Sequence, residues 1–212
     1  MAAQWTVLLS LIAFAGGALV GLPIALMRVS PNNALRIVAG GYIQLIQGTP
    51  LLILLFLTYF GLGILGYKLA PLVAAGLALT LYAGAFLGEI WRGCIEAVPR
   101  TQWEASDCLG LDRFQQYAYV MLPQAFRIAI PPTVGFMVQI VTGICLALVY
   151  VPSAGQAYTS LEYLNYQQQL GWFLRAMHNW GSNFMVAIML VHLIQVFLFG
   201  AFKYPRELTW IS

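Results

Sequence analysis

The chain of 212 residues contains two histidines, His178 and His192, and both lie in one apolar run, GWFLRAMHNWGSNFMVAIMLVHLIQVF, at 171–197. Fourteen residues of α-helix rise about 21 Å and stop about 40° short of four full turns. The two imidazoles therefore share a helix face near opposite leaflets, too far apart to hold one metal ion together. Glu89 and Arg92 form a second pair, at i and i+3 near the inner end of another apolar stretch. Ionisable groups at that depth are costly and often line a polar path. Pairing with each other at the interface is the plainer use of the same spacing. Lys68 and Lys203 follow Tyr67 and Phe202, so there is no G-K-[ST] phosphate loop, and ATP hydrolysis is not expected of this chain. Cys94, Cys108 and Cys145 make neither a C-x-x-C pair nor a C-x-x-C-H haem-attachment motif and read as small apolar fillers.

The elements that must carry these residues are membrane helices. Hydrophobic residues make up 61% of the chain and charged ones 8%, with a mean hydropathy of +0.80. A soluble domain is about one-quarter charged. The expected fold is an all-α integral membrane protein in a lipid bilayer, and the small net charge of +3 gives no reason to expect a nucleic-acid partner. Stretches without Asp, Glu, Lys or Arg run over 1–27, 37–67, 69–88, 128–161 and 176–202. A crossing needs about 20 apolar residues. Five transmembrane helices are expected, near 5–27, 50–66, 70–91, 127–150 and 178–202. Pro50, behind Gly48-Thr49, is expected to start the second of these. An outside N-terminus and a cytoplasmic C-terminus put Arg28, Arg36, Arg92, Arg100, Arg113, Arg127, Lys203 and Arg206 inside, and only Lys68 and Arg175 outside. Trp5, Trp91, Trp172, Trp180 and Trp210 fall near span ends, where amphipathic rings settle. The N-terminus has no charged n-region, so a cleaved signal peptide is not expected.

The longest inside loop, 92–126, reads EAVPRTQWEASDCLGLDRFQQYAYVMLPQA over 96–125. Its charge and periodicity suit an amphipathic surface helix. Glu104, Ala105 and Cys108 bracket one face, Gly110 can stop the turn, and Leu122-Pro123 is expected to break the chain before it re-enters the membrane. This loop resembles the EAA signature of bacterial ABC importer permeases: E-A-A, three residues, G, nine residues, I-x-L-P. Glu104-Ala105-Ser106, Gly110 and Val120-Met121-Leu122-Pro123 follow that spacing, with Ser106 and Val120 as mild departures. GYIQLIQGTPLLILLFLTYFGL (41–62) and GAFLGEIWRGCIEAVPRTQWEA (84–105) are similar to the polar amino-acid uptake branch, with Gln47 where Arg is usual. The resemblance covers residues 5 to about 138. It implies a multi-pass permease of the bacterial inner membrane, a homodimer or paired with a sister permease. Its implied partners are a separate cytoplasmic ATP-binding subunit and an extracytoplasmic solute-binding protein. Glu104, Ala105, Ser106, Gly110, Leu122 and Pro123 would couple to the ATPase, and Glu89 and Arg92 are candidates for the substrate path. No cofactor is expected on that reading.

The remainder of the chain departs from the permease pattern. Residues 139–212 resemble the first two helices of cytochrome b and b6, the quinol-oxidising haem proteins. The matching features are Gln139 with Thr142-Gly143, Tyr150, Pro152, Gly171-Trp172, Arg175-x-x-His178, His192, Lys203 and Pro205-Arg206-Glu207-Leu208. That resemblance implies haem b, with His178 and His192 each giving one axial ligand. Arg175 would approach a propionate, and Gly143 would let the macrocycle pack closely. Each haem in that family takes a second histidine from a later helix, which this chain lacks. The family's second helix-A glycine corresponds here to Ala129. The sequence therefore reads as a chimera of two membrane families, 1–138 and 139–212, joined within the fourth span near 135–142. A transport subunit is the first reading. A haem-binding fragment for quinol-linked electron transfer and an inactive helical bundle are the alternatives. The expected orientation is open to test: a Thr101→Cys variant should be protected from a membrane-impermeant thiol reagent in intact cells, and labelling from outside would contradict it.

Overall fold

The computed structural model describes residues 2–198. Every regular element among them is helical. The chain divides into two compact units, Met1–Ile144 and Cys145–Ser212.

The first unit is organised by two long helices, α1 (Ala2–Val29) and α4 (Pro71–Glu96). Thr6, Ser10, Ala13, Gly17, Gly21 and Ala25 form the buried stripe of α1. The facing stripe of α4 is built on Gly76, Thr80, Gly84 and Gly88. Residues four apart lie on one face of a helix, so two small-residue rows let the backbones meet. A Cβ on Gly17 would stand 2.6 Å from that of Ala83, and one on Gly21 would stand 3.1 Å from both the Gly84 carbonyl and the Gly88 nitrogen. Ile12 sits over Gly76 and Ile24 over Gly88, filling the space the absent side chains leave. These partners advance together along both helices, so α1 and α4 run parallel.

A parallel pair requires the intervening chain to cross back. Two helices do this, α2 (Asn33–Gln47) and α3 (Leu51–Ile64), bent by 99° at their junction. The Asn32 side chain caps α2 by accepting from the Ala34 N–H at 2.9 Å. Along α2, Tyr42 donates to the Leu81 carbonyl at 2.7 Å, and Ile46 packs on Ala78 and Ala85 of α4. After Gly48-Thr49-Pro50, Leu54 of α3 joins the same cluster. Residues 57–61 of α3 are π-helical, and Thr58 donates to Leu54 O at 2.7 Å.

Beyond α4 come a short helix, α5 (Arg100–Cys108), and a long one, α6 (Arg113–Ala147). Helix α6 packs antiparallel on α4. Trp91 donates to Thr133 at 3.0 Å, Phe86 stacks on Phe136 with ring centroids 5.4 Å apart, and Ile140 meets Ala13, Leu79 and Ala83. The second unit holds α7 (Ala157–Tyr166) and α8 (Gly171–Leu198). Their corner is tight: Leu170 takes a φ of 59°, and a Cβ on Gly171 would overlap the Leu164 carbonyl.

Among the described residues three helices are long and apolar enough to cross a membrane, or four with the bent pair counted as one. The parallel α1–α4 register makes that pair a single return crossing. The expected span 50–66 covered only its second arm, because an uncharged run carries no sign of the bend at 48–50. The break expected at Leu122-Pro123 does not occur. Residues 116–121 are π-helical, and the Leu122 N–H bonds back five residues to Tyr117 O. The wider turn absorbs the strain a proline ring puts on the preceding turn. The fifth expected span falls in α8, which begins at Gly171; residues 199–202 of it, with Lys203 and Pro205–Leu208, lie outside the described residues.

The α1–α4 contact should be intolerant of bulk. Gly21→Leu is expected to lower the thermal midpoint of the detergent-purified protein by roughly 5 °C or more. Gly93→Leu, on the same α4 but with nothing within 4 Å of its position, should leave it unchanged. Equal midpoints for the two variants would contradict the packing argument.

Candidate functional site

The sequence-predicted coupling residues converge where α1, α4, α5 and α6 end or begin. Helix α5 is short and stops in a Schellman motif. Gly110 takes a φ of +70°, its N–H bonds to Asp107 O at 3.0 Å, and the Leu111 N–H reaches Ser106 O at 3.2 Å. Asp112 then caps α6 reciprocally with Gln115. The chain thus turns sharply from one helix into the next.

Helix α5 is fastened to α6 from inside. Gln116 is 1% exposed and fully bonded. Its amide donates to Asp107 Oδ1 at 2.5 Å and to Leu111 O at 3.0 Å, and its oxygen accepts from Arg113 at 3.1 Å. A buried amide satisfied on every side fixes a geometry, since each lost bond leaves a desolvated group. The Trp103 and Tyr117 rings meet edge to face at 5.1 Å. Beneath them Ile95, Val98, Met121 and Ala125 form a buried cluster that Leu122 joins. Ser106 is buried and donates to Trp103 O at 2.7 Å, so it faces the α6 side of α5. Glu104, Ala105, Cys108 and Gly110 are exposed, as is Pro123. Leu109 and Phe114 are each 77% exposed, giving the turn from α5 into α6 an apolar edge.

Glu89 and Arg92 do pair, with Arg92 donating through Nε at 2.9 Å and Nη2 at 2.5 Å. The sequence reading missed two further members. Arg92 also bonds Glu96 at 2.5 Å, and Arg28 of α1 approaches Glu89 at 3.8 Å. Glu96 lies at i+4 from Arg92 and was legible from spacing; Arg28 enters through the parallel register. Arg28, Arg92 and Glu96 line a basin of about 750 Å³, together with Arg36, Arg100, Trp103, Glu104, Arg113 and Tyr117.

The haem-type residues are placed differently. Gly143 is half-buried in α6 of the first unit. In the second, His178 and His192 stand on the unbroken helix α8. Arg175 donates to Asn165 of α7 at 3.0 Å, and the His178 carbonyl accepts from Ser182 at 2.9 Å. Gly171, one of the matching features, is required by the tight α7–α8 corner.

Comparisons agree with both halves. The chain is 36% identical over 149 residues to the probable amino-acid ABC transporter permease protein YckA of Bacillus subtilis, covering 70% of this chain and 66% of that one. The cytochrome b/b6/petB family matches residues 116–212. Cytochrome b6 of Auxenochlorella protothecoides is 43% identical over 77 residues, covering 36% of each chain. A crystal structure of an amino acid ABC transporter with histidines aligns with a TM-score of 0.65 at 28% identity, covering 91% of this chain and 88% of that one. The chain therefore spans about two-thirds of the permease it matches and about one-third of the cytochrome. It is a helical membrane protein whose larger part is similar to amino-acid ABC transporter permeases and whose final part is similar to cytochrome b6.

Proposed function

We propose that the protein is the permease subunit of an ATP-binding-cassette importer for polar amino acids, driven by a separate cytoplasmic ATPase and served by an extracytoplasmic solute-binding protein. The observation that carries this reading is the short capped helix α5, outward-facing at Glu104 and Ala105 and fixed inwardly to α6 through Gln116 and Trp103. Helix α6 has 35 residues. At 1.5 Å per residue it is a rod of about 52 Å. A force on α5 is carried into that rod because no soft joint separates them. On this reading the protein sits in the bacterial inner membrane with its N-terminus outside and its C-terminus cytoplasmic, an orientation supported by the excess of arginine and lysine in the segments it puts inside. It works as a homodimer or beside a sister permease, and the join between its two parts lies near 135–142. Within this scheme the Arg28–Glu89–Arg92–Glu96 cluster borders the inner end of the substrate path.

Docking and folding are separable at α5. Ala105 is exposed, so Ala105→Arg should insert and fold normally and yet lose co-purification with the ATPase. Gly110→Val should lose it too, by straining a left-handed turn at a cost of about 1–2 kcal/mol. Unchanged co-purification of Ala105→Arg would make the loop a plain connector.

The match to cytochrome b6 warrants a second reading, haem binding in α8. The residues of a single chain do not fit it. Its two histidines stand about 21 Å apart by helical rise, so each iron would find one imidazole. Among the described residues no three His, Cys, Asp or Glu side chains gather as a metal site. Titration of the purified protein with hemin is expected to give no sharp low-spin α-band on reduction. Such a band, lost in both His178→Ala and His192→Ala, would put the cytochrome reading first.

A further inference from the structure

The basin at the span ends carries more positive charge than its own carboxylates neutralise. Five arginines and two glutamates line it. Arg28 and Arg92 are engaged by Glu89 and Glu96. Arg36, Arg100 and Arg113 form no ion pair among the described residues. Arg36 and Arg113 instead donate to neutral side-chain oxygens, those of Asn33 and Gln116. Glu104 of the lining is likewise outside any ion pair among the described residues. These three arginines come from three different helices, α2, α5 and α6, to one concave surface. Helix α5 begins there at Arg100, and no side chain caps its first turn.

We propose that this basin binds a phosphate group, carried by the headgroup of an anionic lipid or free in solution. Arginine forks match phosphate oxygens in pairs, and the unsatisfied first turn of a helix favours the same charge. The site stands at the right depth for a lipid, because α1 and α4 end beside it at Val29 and Glu96. Trp103 and Tyr117 supply the interfacial aromatic edge. A phosphate fills only part of the roughly 750 Å³, and the half-buried Val29 on its lining suits the glycerol and first methylenes behind it. This assignment does not rest on the transport reading.

The test uses the full chain in nanodiscs of phosphatidylcholine doped with phosphatidylglycerol, with retained lipids counted by native mass spectrometry. Phosphatidylglycerol should be enriched over phosphatidylcholine. Arg100→Gln with Arg113→Gln should reduce that enrichment by about fivefold per arginine, while Arg127→Gln, outside the lining, should not. In a second arm, inorganic phosphate is added to lipid-depleted protein and binding is followed by isothermal titration calorimetry. A response in the parent chain, absent from the double variant and unaccompanied by lipid enrichment, supports the site with free phosphate as its source. If the double variant loses helical content, Arg36→Gln replaces it, and binding must also weaken with added salt. Equal retention of both lipids with no phosphate response overturns the proposal. So does a double variant that changes only co-purification with the ATPase, which would make the basin a protein contact.

Discussion

The backbone contact between α1 and α4 is the constraint on which the first unit depends. In a lipid solvent, apolar side chains gain little by leaving lipid for each other, so close packing and short-range attraction must hold helices together. Glycine and alanine rows permit that approach from the level of Ile12 and Gly76 to that of Ile24 and Gly88. The parallel direction they impose then dictates what the rest of the chain must do. It forces the return crossing through α2 and α3, and it brings Arg28 to the level of Glu89. It also leaves α4 a second face for α6, filled by Phe86, Phe136 and Ile140.

Stiffness continues at the other end of α4. The turn from α5 into α6 has two caps and one buried, fully bonded glutamine, so the short helix is held in place without a large core of its own. The π-helical segment at 116–121 belongs to the same design. It lets Gln116 and Tyr117 face α5 while the helix runs on through Pro123 to meet α4. The exposed Glu104 and the arginines of the basin are therefore neighbours on one rigid corner.

Much of this was legible from residue types. Charge-free runs marked the long apolar helices α1, α4 and α6, Gly110 marked the end of α5, and the i, i+3 spacing of Glu89 and Arg92 marked their pairing. The illegible parts share one cause, which is that hydropathy records how apolar a segment is and carries no direction. The run from 37 to 67 has no charge to show where α2 turns into α3. Pro123 reads as a break because a proline removes a hydrogen bond, and the compensating π turn leaves no mark in composition. Ser106 sits in the motif beside two exposed residues, and only the phase of the helix shows that it faces inward.

The glycine stripe of α1 has a consequence for biogenesis. A growing chain emerges in order, and α1 must enter the bilayer before α4 exists. During that interval its stripe of Gly17 and Gly21 offers bare backbone to lipid, and Thr6 and Ser10 offer hydroxyls, with the matching surface still to be made. Helix formation satisfies the main chain in the meantime. The two-helix unit therefore closes late, when the second half of α4 leaves the ribosome, and the bent pair between them must tolerate a period without its principal support.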